Sequence, residues 1–226
     1  MRYSIVRRIK MKKIMYPLSS TQFTQEIPGI DADLLAKSLV MTFKNGEFIT
    51  KELTELRYLY FIMEGRAKVV TTQSNGKKLI LQFLSTDDMI GDLTVIKAEE
   101  EIKDVIAMGE TTCLAVPIQT IEMQLMTNNE FLRFLSQYIG IKLLLRMDHF
   151  KEQQTLEAKM RLAKLLLEIT VDGEYHEKHT EIAEYLGVSY RHYMHTFKQL
   201  KEEGYIYKKE NRYYIQTDSL EKLIQS

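Results

Sequence analysis

Five basic side chains, all hydrogen-bond donors when charged, lie between positions 191 and 201, and the segment contains no carboxylate. They are Arg191, His192, His195, Lys198 and Lys201. The whole chain carries 31 Lys plus Arg and 31 Asp plus Glu, so this local excess does not come from overall charge. Such donors on one helix complement the base edges and phosphates of the DNA major groove. The segment is therefore a candidate DNA-reading helix.

The residues just before these donors predict the element that positions them. Ile182, Ala183 and Leu186 form one apolar face on a short helix. Gly187 favours the positive φ that ends a helix, and Ser189 is placed to cap the next one. Ala183 is small enough for a second helix to cross closely. The pattern is typical of a helix-turn-helix, although plain helical hairpins also contain short patterns of this kind.

A predicted β-hairpin follows the second helix. Residues 205–216 read Y-I-Y-K-K-E-N-R-Y-Y-I-Q and alternate around Glu210 and Asn211, which favour a tight turn. Three cations lie beside its tip, namely Lys208, Lys209 and Arg212. A helix, a turn, a second helix and a basic hairpin in this order indicate a winged helix.

Composition narrows the class of protein. The chain has 226 residues, 45% of them hydrophobic, as expected for one or two globular domains. Its one cysteine, Cys113, excludes an internal disulfide and fits a reducing cytoplasm. Residues 1–16 are basic and lack the apolar core of a signal peptide, so we expect a solvated tail there, with Met11 and Met15 as possible alternative starts. Charges interrupt the most apolar helix, residues 131–147, and we expect a cytoplasmic protein with no membrane partner.

The region before the long helix has the pattern of an antiparallel sheet. Short runs rich in Val, Ile, Phe and Tyr alternate with turn signals over residues 40–117. Asn75 and Gly76 lie between two such runs and predict a hairpin. Regular strands of this kind indicate a barrel or sandwich.

The helix that follows has two apolar stripes. One contains Leu132, Leu135, Ile139, Leu143, Met147 and Phe150, and the other contains Phe134, Tyr138, Ile141 and Leu145. A helix with two apolar faces needs two partners. We expect one partner to be the chain's own β domain and the other to be the same helix of a second subunit, with Phe134, Tyr138, Ile141 and Leu145 at the dimer seam.

The resulting prediction is an α+β chain of four parts. They are a basic leader (residues 1–16), an antiparallel β-roll or jelly roll of the cyclic-nucleotide-binding kind (17–127), a dimerisation helix (128–155) and a winged helix-turn-helix (156–226).

This order of domains resembles the Crp/Fnr superfamily of bacterial transcription regulators. The run Y-H-E-K-H-T-E-I-A-E-Y-L-G-V-S-Y-R-H at residues 175–192 is similar to the YeiL-like subfamily in particular. The resemblance implies a homodimeric regulator that binds double-stranded DNA, with a β domain that holds a small effector or only its relic. It does not indicate the effector, the operator or the direction of regulation.

The resemblance also implies where an effector would bind. In members that bind cyclic nucleotides, a Gly-Glu-Leu turn and an Arg-Ser pair hold the ligand, and two residues of the long helix contact it. The matching positions here are Gly91, Asp92 and Leu93, then Lys103 and Asp104, then Arg146 and Met147. A carboxylate at Asp104 would repel a phosphate, so we expect no cyclic AMP binding.

The predicted DNA contacts divide by role. Tyr190, Arg191, His192 and His195 would read bases or nearby phosphates, and Arg191 suits a guanine because it has two parallel donors. Backbone contacts are predicted for Thr180, Ser189, Lys198, Lys208, Lys209 and Arg212.

Two other functions are considered. A winged helix can bind protein instead of DNA, and residues 156–226 carry 11 basic and 12 acidic residues. An enzyme is not supported, because no phosphate-binding loop or nucleophile elbow occurs. His176, Glu177 and His179 resemble a metal set but are interpreted as a polar loop, so no metal or cofactor is predicted.

Overall fold

The computed structural model describes residues 14–17, 27–30 and 35–225. Most of the basic leader therefore lies outside the described residues. Residues 14–16, which we predicted to be part of a solvated tail, instead belong to a strand that pairs with the strand beginning at Leu39. The basic composition of the leader gives no sign of this pairing, because backbone groups form it.

Strands form the N-terminal half of the chain and a small sheet near its end. They are β1 (Ile14–Pro17), β2 (Leu39–Phe43), β3 (Phe48–Thr50), β4 (Tyr58–Thr72), β5 (Lys78–Leu84), β6 (Met89–Ile90), β7 (Asp104–Pro117), β8 (Glu174–Tyr175), β9 (Ile206–Lys209) and β10 (Arg212–Ile215). The helices are α1 (Asp92–Val95), α2 (Ile118–Thr127), α3 (Asn129–Thr155), α4 (Ala158–Ile169), α5 (His179–Tyr185), α6 (Tyr190–Glu202) and α7 (Thr217–Gln225).

The antiparallel β-roll predicted from the sequence is confirmed. The first seven strands form one sheet in the order β1-β2-β7-β4-β5, with β3 on β7 and β6 on β4. The long strands β4 and β7 pair along most of their length, and their register shifts on both sides of Glu64. Gly65 has φ 91° there, and a Cβ at this position would overlap the carbonyl of Glu110. The shift bends the sheet around an interior filled by apolar side chains.

The hairpin predicted at Asn75 and Gly76 is also confirmed, with a longer loop than a two-residue turn. Strands β4 and β5 pair from Thr72 and Lys78 onward, and Gln73 N donates to Lys77 O over 2.8 Å. Gly76 takes the positive φ, at 79°, and Asn75 Oδ1 accepts a hydrogen bond from Lys77 N at 2.9 Å.

Helix α3 begins where Asn128 caps it, since Asn128 Oδ1 accepts hydrogen bonds from the backbone N–H groups of Glu130 and Phe131. Phe131 and Leu135 are the buried residues of this helix and pack on the β domain with Ile121 and Leu114. The β domain therefore fixes the first third of the helix.

The C-terminal unit is a winged helix. Helices α4, α5 and α6 and the sheet β8-β10-β9 share one core. Two of its elements were missed in the sequence. Strand β8 has only two residues, too few for an alternating pattern, and α7 follows the wing with Leu220 buried.

The winged helix packs on its own β domain. One apolar cluster contains Ile80 and Phe83 of β5 together with Leu186. The Arg66 guanidinium, on β4, donates to the carbonyls of Thr170 at 2.6 Å and Leu167 at 3.3 Å, and also to that of Glu168. These carbonyls end α4 and lack partners within the helix, so a side chain of the β domain caps the first helix of the winged helix.

Candidate nucleic-acid interface

Helix α6 has a buried face and a polar face. Tyr193, Thr196, Phe197 and Leu200 are buried at the spacing expected for one side of a helix. The opposite side is exposed and includes Arg191, His192, His195 and Lys198. The five donors noted in the sequence therefore lie outside the core.

The turn before α6 sets where the helix starts. Gly187 has φ 65°, as predicted, and Val188 N donates to Ala183 O at 3.0 Å. Ser189 caps α6, because its Oγ accepts a hydrogen bond from His192 N at 3.2 Å. The first exposed residues of α6, Tyr190 and Arg191, therefore directly follow the capped end.

The wing has the predicted tight turn. Glu210 and Asn211 both have positive φ, at 48° and 67°, which is the conformation of a type I′ hairpin. Register pairs Arg212 with Lys209 and Tyr213 with Lys208. Residues that face each other across a ladder share one side of the sheet, so Lys209 and Arg212 lie on one side and Lys208 on the other, where its Nζ is 5.8 Å from the Tyr213 ring centroid.

Ten residues were predicted to contact DNA, and the structure leaves all of them exposed on the winged helix. They are Thr180, Ser189, Tyr190, Arg191, His192, His195, Lys198, Lys208, Lys209 and Arg212. Two of the cations already have acidic neighbours: Lys198 is 3.3 Å from Glu202, and Arg212 is 3.1 Å from Glu174. The Lys198 pair is exposed on both sides and is weak.

A buried aromatic cluster beneath α6 was not found in the sequence. His179, interpreted there as part of a polar loop, begins α5 and contacts the rings of Tyr175, Tyr193, Phe197 and Tyr213. The hydroxyls of Tyr175 and Tyr193 lie 3.1 Å apart. Burial lowers the pKa of His179. The sequence shows these aromatic residues only as separate positions in β8, α6 and β10. The fold brings them together around His179.

The other two residues of the metal-like set have separate surroundings. Glu177 pairs with Lys68 of the β domain at 2.5 Å, and the side chain of His176 is close to Glu174, at 3.5 Å. Neither residue therefore shares a site with His179.

The seven residues predicted for an effector pocket have mostly structural contacts. Asp92, buried at the start of α1, pairs with Lys142 of α3 at 2.8 Å. Asp104 is buried, and its Oδ1 accepts a hydrogen bond from Glu52 N at 2.8 Å. Lys103 donates to the carbonyl of Glu101. The polar groups of Asp92, Lys103 and Asp104 that would bind a ligand therefore already have partners within the protein.

A wide cleft lies elsewhere, where the β domain, α3 and the winged helix meet. It has a volume of about 590 Å³ and is lined by Phe83, Ile141, His149, Glu168 and Tyr185 among others. Of the predicted pocket residues, only Arg146 lines it, and Arg146 also donates to Gln82 Oε1. Gly91, Asp92, Leu93, Lys103, Asp104 and Met147 are not among its lining residues.

Comparison with known proteins agrees with this architecture. A model described as a cyclic nucleotide-binding domain matches residues 40–128, and one described as a Crp-like helix-turn-helix domain matches residues 160–226. The regulatory protein YeiL of Escherichia coli O157:H7 is 31% identical over 184 residues, which cover 81% of this chain and 84% of YeiL. The chain belongs to the Crp/Fnr family.

Solved structures have the same fold. A transcriptional regulator of the Crp/Fnr family from Eubacterium rectale aligns with a TM-score of 0.68 at 16% identity, over 85% of this chain and 92% of the other. A Crp/Fnr regulator from Thermus thermophilus aligns with a TM-score of 0.63 at 21% identity, over 83% and 98% of the two chains. As a Crp/Fnr family member with its own helix-turn-helix, the protein is a DNA-binding transcription regulator. Among the described residues, no helix is both long and apolar enough to cross a membrane.

In this Crp/Fnr protein, the apolar stripes of α3 face different surroundings from those expected. Phe134 and Tyr138, predicted at a dimer seam, pack on their own β domain. The Tyr138 hydroxyl accepts a hydrogen bond from Met89 N at 2.8 Å and donates to Asp88 at 3.1 Å, and burial raises its pKa. Ile141 and Leu145 are exposed and line the interdomain cleft.

Proposed function

We propose that the protein binds DNA as a homodimer, with α6 of each subunit in a major groove. The observation that carries this proposal is the division of α6, whose whole inner face is buried while its outer face exposes cations. Tyr190, Arg191, His192 and His195 would contact base edges or nearby phosphates. Arg191 is the candidate for a guanine, because its two parallel donors match O6 and N7.

The remaining exposed residues would fix the protein on the phosphate backbone. Thr180 lies in the first turn of α5, Ser189 caps α6, and Lys198 lies about one helical turn after His195. Lys208, Lys209 and Arg212 would contact the backbone from the wing. Such contacts set register and affinity without reading sequence.

The placement of acidic residues supports DNA over a protein partner for a domain that is not basic overall. Glu177 and Glu181 are close to Lys68, and Glu184 is 2.7 Å from Lys77. These three carboxylates of the α5 region are thus paired with two lysines of the β4–β5 hairpin. The exposed cations of α6 then dominate the potential on the outer side of the module.

For the dimer seam we propose the outward face of α3, which differs from the set predicted in the sequence. Leu132, Leu143, Leu144 and Met147 are between 43% and 61% exposed. Burying an aliphatic side chain stabilises by about 1.5–3 kcal/mol, so a partner helix on this face would gain from each of them. Gly140 lies on the same face with nothing packed where a Cβ would be, which allows a second helix to approach closely.

The sensor domain is proposed to have no affinity for cyclic nucleotides. Asp92 is already paired with Lys142 and is therefore not free for a ribose hydroxyl. Asp104 places a buried carboxylate where the family resemblance requires a partner for phosphate. Any small effector is proposed to use the interdomain cleft of about 590 Å³, which contacts both α3 and the winged helix.

The direct test selects bound sites from a random pool of double-stranded DNA. We expect an enriched pseudo-palindrome with half-site centres about 34 Å apart, because a two-fold dimer places its recognition helices one helical turn apart. Binding should weaken steeply as salt rises, since phosphate contacts release counterions. No enrichment, together with binding that does not respond to salt, would favour a protein partner for the winged helix.

A further inference from the structure

One carboxylate lies directly beneath the wing. Glu174 is on β8, opposite Tyr214 of β10 in the ladder. Arg212 precedes Tyr214 by two residues on β10, so Glu174, Tyr214 and Arg212 all lie on one side of the sheet. Arg212 Nη1 lies 3.1 Å from Glu174 Oε1 and 3.3 Å from Oε2. The Tyr214 hydroxyl is 3.4 Å from Oε2, and His176 Nε2 is 3.5 Å from Oε1.

This carboxylate depends on the arginine. The Glu174 side chain is only 14% exposed, and its Oε1 is buried without a well-aligned hydrogen bond, despite the ion contact at 3.1 Å. Removing a partner from a nearly buried charge is strongly destabilising. Arg212 therefore stays paired with Glu174. If Arg212 contacts a DNA phosphate, it must do so while it still contacts Glu174.

The arginine can satisfy both requirements. Its side chain is 63% exposed, and only Nη1 contacts the carboxylate. A guanidinium has five N–H donors in a fixed plane, so most of its donors remain available on the outer side of the wing. Lys209 lies across the ladder on the same side. The pairing therefore fixes one planar cation beside a second, exposed one.

We propose that Glu174 is a positioning residue, which orients Arg212 so that its free donors meet one backbone phosphate of the bound DNA. The inference rests on the proposed DNA-binding function. It assigns a role in DNA binding to Glu174, although a negative charge is repelled by DNA phosphates. A pure charge effect predicts that removing a carboxylate near DNA strengthens binding. Positioning predicts the opposite, which makes the sign of the effect decisive.

The experiment measures affinity for the selected operator as a function of salt with the full-length protein. Glu174→Gln should weaken binding by about 3- to 10-fold and reduce the salt slope by about one, as expected for the loss of one phosphate contact. Arg212→Gln should lose at least as much, because it also leaves Glu174 without its cation, and the double variant should lose no more than Arg212→Gln alone.

Two further variants serve as controls. Glu210→Gln removes an exposed carboxylate from the tip of the same wing and should leave binding unchanged or slightly stronger. Arg212→Lys keeps the charge and keeps Glu174 paired, but one ammonium cannot hold a carboxylate and a phosphate in a fixed plane. It should therefore weaken binding as Glu174→Gln does, and it decides the question if Glu174→Gln does not fold.

The outcomes separate this inference from the proposed function. Salt-dependent operator binding by the wild type, with Glu174→Gln or Arg212→Lys binding equally well or better, would overturn only the positioning role. A wild type that binds no DNA in a salt-dependent manner would overturn both.

Discussion

The hydroxyl of Tyr193 lies 2.9 Å from Nδ1 of His179. Tyr193 is on the buried face of α6, and His179 is the first residue of α5, so this polar contact joins the two helices of the helix-turn-helix inside an aromatic cluster. Charging His179 would make both ring nitrogens donors and bring a charge into a poorly solvated site.

This contact predicts that the winged helix is less stable in mild acid. Burial lowers the pKa of His179 below its ordinary value of 6.5, so between the two values the unfolded chain binds more protons than the folded one. Stability therefore rises with pH: it is fully present above 6.5 and is lost as the pH falls toward the lowered pKa. Urea unfolding of the wild type should show this decline between pH 7.5 and 5.5, values chosen to bracket the ordinary pKa.

A matched pair of variants isolates the contribution of His179. His179→Gln should flatten the decline, while His195→Gln, the same change at an exposed histidine on α6, should retain it. Glu168 also has a pKa shifted by burial, upward, so its effect has the opposite sign and cancels when the variants are compared. Parallel profiles for the two variants would contradict the assignment.

A second prediction concerns the proposed seam on α3. Met147→Glu places a charge on the outward face and should convert a dimer into a monomer, because the carboxylate would have to be buried against the partner helix. Light scattering of the wild type should give about twice 26.6 kDa. Met126→Glu is the control, because Met126 on α2 is 86% exposed and lies outside the seam. A monomeric wild type at micromolar concentration would exclude this assembly.

The seam also illustrates what the sequence could and could not predict. The helix-turn-helix and the wing could be predicted because their signals are local. The positive φ of Gly187 and of the Glu210-Asn211 turn, and the cap by Ser189, involve only neighbouring backbone groups. The two stripes of α3 are locally equivalent. Only packing determines which residues of each stripe meet the β domain: Leu135 of the first stripe and Tyr138 of the second both do, and a backbone group of β6 fixes Tyr138 there.

The effector site was harder to predict for a similar reason. Matching positions to a family pattern placed Asp92 and Asp104 beside a ligand, yet the pattern contains no information about their partners. Lys142 reaches Asp92 from α3, 50 positions later in the chain. The cluster around His179 likewise joins β8, α5, α6 and β10, and no short window contains it.

A third prediction is that cyclic AMP does not bind. Titration calorimetry at micromolar protein should give no binding heat, because Asp104 would face the phosphate and Asp92 is occupied by Lys142. Asp92→Asn tests whether that pair is merely structural, and it should lower stability without creating affinity. Micromolar or tighter binding by the wild type would contradict the prediction, whereas a bound compound without phosphate would be compatible with it.

The final prediction separates base reading from backbone binding. Arg191 lies near the start of α6, where a recognition helix meets base edges, and Arg191→Ala should relax the preference at one base position by about 1–3 kcal/mol. Its effect on non-specific DNA should be smaller. Lys209→Ala, on the wing, should weaken binding to all sequences alike and make the salt dependence shallower, because it removes one phosphate contact.

The measurement is the affinity for operators substituted at each base pair in turn, at two salt concentrations. It is made with the wild type, Arg191→Ala and Lys209→Ala. Tyr190 provides a matched reference beside Arg191, since its exposed ring offers a single hydroxyl and Tyr190→Phe removes that group alone. Its loss should be smaller than that of Arg191→Ala at any base position. If Arg191→Ala instead weakened all sequences equally and reduced the salt slope, Arg191 would be a phosphate contact, and the guanine would have to be read by another residue of α6.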